Sequence, residues 1–283
     1  LNISIIIPAH NEERFIEETL DSLVSQTLLP KKIVVVNDNS TDNTVPIIHK
    51  FISKYNFISL VNINNSSKEH MPGSKVIKAF YQGFQTLDTN YDIICKFDAD
   101  LIFQENYLKT IADIFESDSK VGIASGILYI EKKNKWVYEH IADKNHVRGP
   151  IKAYRKECFE AINGLKKSIG WDTLDVLLAQ YHGWKTKTCH SLIVKHLKPT
   201  GKNYNKNTKY VHGEAMYKMR YGFWITLIAS VKLALLKKQP RLINNYLTGY
   251  YKAKAKKEAF LVSEKEGDFI RKLRWKKMKK KLI

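Results

Sequence analysis

Residues 3–42 read ISIIIPAHNEERFIEETLDSLVSQTLLPKKIVVVNDNSTD, and this stretch decides the fold. Ile3–Pro8 is a continuous, mostly β-branched apolar run, which predicts a strand buried on both faces of a parallel sheet. Asn11–Ser25 spaces Phe15, Ile16, Leu20, Leu23 and Val24 as a helix does and carries acidic residues in its first turn. Ile33–Val36 is a second buried strand, closed by the polar turn Asn37-Asp38-Asn39-Ser40, and Thr41–Ser53 reads as another helix. Strand, helix, strand, helix is the rhythm of an α/β domain with a mostly parallel central sheet.

The rhythm continues through a third strand at Ile58–Asn62, a helix at Ser74–Thr86 and a fourth strand at Asp92–Phe97. Past residue 120 the spacing predicts strands at Val121–Ile130 and Trp136–Ile141, then helices at Lys156–Ile162 and Thr173–Tyr181. After Pro199-Thr200-Gly201 the composition shifts to Lys, Tyr and Asn. That shift divides the chain into an α/β domain over 1–200 and a helical extension over 201–283. In the extension, Glu214–Lys238 reads as one helix, with Lys218, Gly222, Thr226 and Ser230 as its less apolar stripe; Leu242–Lys257 and Asp268–Lys281 read as two more.

The net charge of +19 is unevenly spread. Residues 201–283 hold 22 Lys and Arg against 5 Asp and Glu, whereas residues 1–200 hold 25 against 23. A near-neutral body with a strongly basic tail points to an anionic surface as partner. The tail also carries Tyr221, Phe223, Trp224, Leu227 and Ile228, and apolar residues among excess lysines suit an interfacial helix at an anionic membrane. The longest uncharged apolar run, Tyr221–Val231, falls short of the ~20 residues a spanning helix needs. The opening residues have no signal-peptide pattern, and three widely spaced cysteines (Cys95, Cys158, Cys189) suggest reduced thiols. The expectation is a cytoplasmic protein held peripherally at a membrane.

Three polar loops end three of these strands: Pro8-Ala9-His10-Asn11-Glu12-Glu13, Asn37–Asp42 and Asp98-Ala99-Asp100. The carboxyl edge of an open α/β sheet is where ligands bind. Two carboxylates one residue apart suit Mg²⁺ or Mn²⁺, which bind through one or two carboxylates plus substrate phosphates. Alone, an Asp-x-Asp triplet is more often an ordinary polar turn. The order SIIIPAHNEERFIEETLDSLVSQT, IVVVNDNSTDNT and CKFDADLIF resembles glycosyltransferase family 2, inverting enzymes of the GT-A fold, over residues 3 to about 201.

The resemblance implies that Pro8, Ala9 and Glu12 line a nucleoside pocket, that Asp38 accepts the base N–H, and that Asp98 and Asp100 hold a metal bridging the diphosphate, with Ala99 between them at the donor site. Asn37 stands where the family usually has a first acid. Gly73 and Lys75 match the loop and helix nearing the nucleotide, although Lys75 reads equally as a solvated helix residue. His146–Pro150 is similar to the stretch facing the donor sugar, with Arg148 reaching the diphosphate. In Gly170–Asp175, Asp172 aligns with the second acid of the family's acidic pair and becomes the general base, while Trp171 replaces the first and either stacks on acceptor sugar or belongs to the core. Asp172 also reads as a helix cap, and Asp175 is the alternative base. Val194–Gly201 is similar to the closing loop of polysaccharide-type transferases, which makes His196 a further metal or diphosphate ligand.

These matches imply transfer of a sugar from a nucleotide-diphosphate donor, a UDP-sugar first of all, to a hydroxyl of a glycan or lipid-linked acceptor. Two rival readings fit the residues less well. A nucleotidyltransferase needs a Gly-rich basic triphosphate loop after the first strand, and Pro8–Glu12 is acidic. A nucleic-acid binder using the basic tail needs a recognised module, and none is present, so no nucleic acid is expected.

Overall fold

A computed structural model describes residues 1–63, 73–140, 143–198 and 209–280. The chain forms two compact units. One comprises residues 1–70, 75–165 and 182–202; the other comprises 71–74, 166–181 and 203–283. The second unit therefore contains the helix Trp171–Tyr181 as well as the basic tail, whereas a break read from composition alone falls once, near residue 200. That expected break, at Pro199-Thr200-Gly201, lies outside the described residues.

The first unit is built on a mixed sheet in the order β3-β2-β1-β4-β8-β6-β9-β5, with β7 beside β6. The ranges are β1 Ile3–Ala9, β2 Lys32–Asn37, β3 Ile58–Asn62, β4 Ile93–Phe97, β5 Leu101–Ile102, β6 Val121–Lys132, β7 Lys135–Tyr138, β8 Ile151–Arg155 and β9 Lys185–His196. Strands β1 to β4 are parallel where they pair, as the apolar runs predict. Beyond β4 the pairing turns antiparallel at β8 and again between β8 and β6. The result is an α/β fold of the GT-A-like kind.

Alternation decides which side chains meet. Ile3, Ile5 and Ile7 of β1 join Ile33, Val35, Cys95 and Phe97 in one core, covered by Ile16, Leu20 and Leu23 of α1 (Ile16–Val24), Ile48 of α2 (Thr44–Ile52) and Leu108, Ile111 and Phe115 of α4 (Tyr107–Ser117). The opposite face is aromatic: Phe80 and Phe84 of α3 (Ser74–Phe84) pack on Phe159 of α5 (Lys156–Ala161), and Tyr154 of β8 meets the same ring. On that face Lys96 of β4 stands opposite Lys152 of β8, and both are buried.

In the second unit the structure corrects the single helix expected over 214–238. Two helices stand there, α7 (Val211–Lys218) and α8 (Gly222–Lys237). Arg220 between them and Gly222 at the start of α8 both have positive φ (55° and 76°), which ends one helix before the next begins. After α9 (Arg241–Ala255), α10 (Glu264–Lys279) starts earlier than periodicity alone suggests, because Ser263 and Glu266 form a reciprocal capping box. Among the described residues no helix is long and apolar enough to cross a membrane.

Candidate active site

The Asp-Ala-Asp turn leaves the end of β4 and is held from below. Thr19 of α1, fully buried, accepts the Leu101 N–H at 2.9 Å and donates to the Ala99 carbonyl at 2.9 Å, so one hydroxyl fixes both sides of the turn. The Asp98 N–H is taken by Pro150 O at 3.0 Å, and the Lys96 ammonium pairs with the Asp98 carboxylate. Leu101 then pairs antiparallel with His196, and Leu197 N donates to Asp100 O at 2.9 Å. That short strand pairing is what brings His196, nearly a hundred residues later, beside the turn.

His196 Nε2 lies 3.5 Å from Asp100 Oδ2, and its Nδ1 lies 3.4 Å from Glu139 Oε2. Glu139 in turn accepts from Arg148 at 3.0 Å, and all three side chains are buried. Burial alone pulls the imidazole pKa down, but hydrogen bonds to Asp100 and Glu139 outweigh it and raise the pKa to about 9. One donor atom each from Asp98, Asp100 and His196 lie within 4.8 Å of one another. Two carboxylates and an imidazole that close that tightly fit a divalent cation of the Mg²⁺ or Mn²⁺ kind. A carboxylate on the far nitrogen of the histidine is the usual way of fixing such a ligand's orientation.

The other two loops are laced together by side chains. Asn11 Oδ1 accepts from Thr41 N at 2.8 Å, Thr44 Oγ1 from Glu12 N at 2.8 Å, and Asp42 Oδ2 from Glu13 N at 3.1 Å. Asn11 and Asn39 both take positive φ at these turns (54° each), which asparagine tolerates better than most residues. Pro8 stands opposite Val36 and Ala9 opposite Asn37, with Ala9 O accepting from Asp38 N at 2.9 Å. Asp38 is buried and paired with Lys75 at 3.1 Å, so Lys75 is not merely solvated. Lys198 holds both Glu12 oxygens at 2.7 and 2.8 Å. Burial raises the Glu12 pKa, Lys198 opposes that rise, and the charges of Asp100 and Asp98 add to it.

The structure thus gathers Pro8, Ala9, Glu12, Asp38, Lys75, Asp98, Ala99, Asp100, Arg148 and His196 within the first unit. Arg148 donates to Glu139 there. Gly73, Trp171 and Asp172 belong to the second unit. Gly73 takes φ +79°, and a Cβ on it would fall 2.9 Å from Ile169 Cα and Ser168 O. Trp171 is buried and opens α6 (Trp171–Tyr181), so Asp172 lies within the first helical turn and not at the position before the helix where the sequence expectation put a cap. Asp175 is buried one turn further on. Sequence reasoning missed Thr19, Lys96, Glu139 and Lys198. No motif surrounds Glu139, and Lys198 lay inside the quoted closing stretch without a role.

Residues 4–167 match the model of the family described as glycosyl transferase family 2. The chain is similar to the probable glycosyltransferase YdaM of Bacillus subtilis (strain 168), with 36% identity over 127 residues, 44% of this chain and 29% of that protein. It is also similar to the poly-beta-1,6-N-acetyl-D-glucosamine synthase of Staphylococcus aureus (strain COL), at 28% over 132 residues, 47% of this chain and 30% of that protein. The matched region therefore spans less than a third of these relatives. Among solved structures, S. aureus TarS 1–349 in complex with UDP-GlcNAc superposes with a TM-score of 0.59 at 18% identity, covering 89% of this chain and 73% of that one. Mannosyltransferase PcManGT from Pyrobaculum calidifontis, in complex with GDP-Man and Mn²⁺, gives 0.55 at 16%, covering 95% and 78%. At such identities these likenesses show the fold, which is GT-A-like. With more than half of its length matched by the family model, the chain belongs to glycosyl transferase family 2.

Proposed function

We propose that this protein is an inverting, metal-dependent glycosyltransferase that moves a sugar from a UDP-sugar to a hydroxyl of a glycan or lipid-linked acceptor, in surface polysaccharide or glycoconjugate synthesis. The observation that carries the reading is the closure of Asp98, Asp100 and His196 to within 4.8 Å at the carboxyl end of β4. The loops ending β1 and β2 leave the same edge of the parallel sheet, the usual ligand edge of such folds. Asp38 and the Pro8–Glu12 loop hold the nucleoside, with Lys75 balancing the Asp38 charge. We take UDP as the carrier because the TarS neighbour was solved with UDP-GlcNAc and with UDP.

Bound Mg²⁺ or Mn²⁺ would supply positive charge against the diphosphate as it leaves. In this reading Asp98, Asp100 and His196 hold the cation, and Glu139 orients His196. Asp172 takes the proton of the acceptor hydroxyl while the hydroxyl oxygen bonds to the anomeric carbon. The bond from that carbon to the diphosphate oxygen breaks on the opposite face, UDP departs, and the configuration inverts. On the basic tail, we also read the enzyme as a peripheral protein of the cytoplasmic face of an anionic membrane.

Calorimetric titration with UDP, in the presence and absence of Mn²⁺, tests the donor site. Binding to the wild type should require the cation, and Asp98→Ala and Asp100→Ala should each lose that dependence together with most of the affinity. UDP binding that is equal with and without Mn²⁺ in all three proteins refutes the metal assignment. Preference for a nucleoside triphosphate over UDP points to a nucleotidyltransferase.

A further inference from the structure

Helix α8 buries mostly small residues and exposes large apolar ones. Its buried side carries Ile225 (4% exposed) with Thr226 and Ser230, both 0% exposed, followed one turn later by Ala234. The two hydroxyls are satisfied within the helix, Thr226 Oγ1 donating to Gly222 O at 2.8 Å and Ser230 Oγ to Leu227 O at 2.7 Å, so they pack as small, saturated groups. The stripe that periodicity marks as less apolar therefore faces inward. Outward stand Trp224 (65% exposed), Ile228 (39%), Val231 (37%) and Leu235 (74%), at intervals of four, three and four residues. That spacing keeps all four on one line, about 16 Å long at the helical rise. Leu236 and, on α9, Tyr251 extend the exposed apolar area, and the Tyr251 ring lies 6.1 Å from that of Phe223.

Water-facing helices carry their charges outward, and a contiguous exposed apolar line of this kind marks an interaction surface. The surrounding charge says what it meets. From Ala215 to Lys257 the chain contains no Asp or Glu at all. Along α8, α9 and the residues just after α9 it carries Lys232, Lys237, Lys238, Arg241, Lys252, Lys254, Lys256 and Lys257, all of them exposed. Lys237, Lys238 and Arg241 follow directly on Leu235 and Leu236, where the helix ends. A protein partner of mixed charge would require both signs on this face. An anionic bilayer requires an apolar line at acyl depth and cations at the level of the headgroups.

We propose that the Trp224–Ile228–Val231–Leu235 face of α8 docks on an anionic phospholipid bilayer, lying in the plane of the interface. The proposal rests on the peripheral reading given above and assigns it a face; it needs no nucleotide. The apolar line supplies a salt-resistant part of the attachment and the lysines a salt-sensitive part.

The test is co-sedimentation of the full chain with vesicles of equimolar phosphatidylcholine and phosphatidylglycerol, against vesicles of phosphatidylcholine alone. Partitioning should be at least about tenfold stronger on the anionic vesicles and should weaken, without vanishing, as salt rises from about 0.1 M to about 0.5 M. Ile228→Asp with Leu235→Asp should abolish the salt-resistant part; both side chains are exposed, and a circular dichroism melt matching the wild type confirms the fold. Lys237→Gln, Lys238→Gln and Arg241→Gln together should flatten the salt dependence. Equal sedimentation of wild type and the double Asp variant overturns the proposal. So does a wild-type dimer that the double Asp variant converts to monomer with vesicle binding unchanged, since the face then joins two copies. Preferential capture on RNA over vesicles overturns it as well. UDP titration of the same samples keeps failure of this surface separate from failure of the donor site.

Discussion

Replacing Thr19 by Val should damage the proposed metal site from beneath without touching Asp98, Asp100 or His196. Thr19 is fully buried, and its single hydroxyl proton goes to the Ala99 carbonyl at 2.9 Å, with the Phe15 carbonyl further off at 3.2 Å. The same oxygen accepts the Leu101 N–H. Valine has nearly the same shape, so packing changes little while two buried backbone groups lose their partner. A buried group left unsatisfied costs about 1–3 kcal/mol, which makes the expected loss for the two groups about 2–6 kcal/mol. Thr19→Ser keeps the hydroxyl and removes one methyl, at a cost of about 1 kcal/mol. Urea unfolding of the three proteins reads the stabilities, and Mn²⁺-dependent UDP titration reads the site. The Val variant should be the less stable by at least about 1 kcal/mol relative to Ser, and it alone should lose UDP affinity. Val and Ser variants that unfold within about 0.5 kcal/mol of each other refute the clamp.

Three further outcomes are expected. Asp172→Asn should bind UDP as the wild type does and lose transfer by about 10²–10⁴-fold; turnover within a few-fold of wild type moves the base elsewhere, with Asp175 next. Glu139→Gln should weaken Mn²⁺ binding about 10–100-fold, read as free Mn²⁺ by electron paramagnetic resonance, and unchanged affinity removes Glu139 from the support of His196. His212, stacked on Tyr246 at 5.4 Å between ring centroids, has a pKa lowered by burial first and by the Lys237 charge second. Its folded form binds the proton less readily than the unfolded chain does. The stability it contributes is therefore complete above about pH 6.5 and declines as pH falls toward the lowered folded value. His212→Phe should remove that part of the acid sensitivity, and identical wild-type and variant profiles between about pH 5 and 7 contradict it.

The first half of the fold was legible because its strands are unbroken apolar runs: β1, β2, β3 and β4 all lie within one or two residues of where Ile3–Pro8, Ile33–Val36, Ile58–Asn62 and Asp92–Phe97 put them. Strands β8 and β9 were not, since IKAYR and KTKTCHSLIVKH carry lysines that look like surface. In β8, Lys152 is nonetheless buried, opposite Lys96 on the aromatic face. Helix α4 escaped notice, although Tyr107, Leu108, Ile111 and Phe115 all join the core. The Asp-Ala-Asp turn announced itself by position at a strand end. Its neighbour Glu139 comes close only through tertiary pairing, and Thr19 looks like any helix residue until its contact across eighty residues is seen. In the tail, the four-residue spacing marks Thr226 and Ser230 as part of the less apolar stripe of their helix. They face inward because helix carbonyls already satisfy their hydroxyls.

The lacing of the first two loops has a consequence for transplantation. Asn11, Glu12 and Glu13 each bond a residue between Ser40 and Thr44, and those bonds run from side chain to backbone in both directions. Residues 10–13 and 38–44 are therefore one graft, separated by a helix and a strand that can stay behind. Exchanging residues 10–13 alone would leave the Thr41 and Asn43 N–H groups without the Asn11 and Glu13 side-chain acceptors, and exchanging residues 38–44 alone would leave the Asn11, Glu12 and Glu13 N–H groups without those of Ser40, Thr44 and Asp42. Exchanging both keeps the supports of the Asp-Ala-Asp turn in place, because that turn hangs from Thr19, Pro150 and β9.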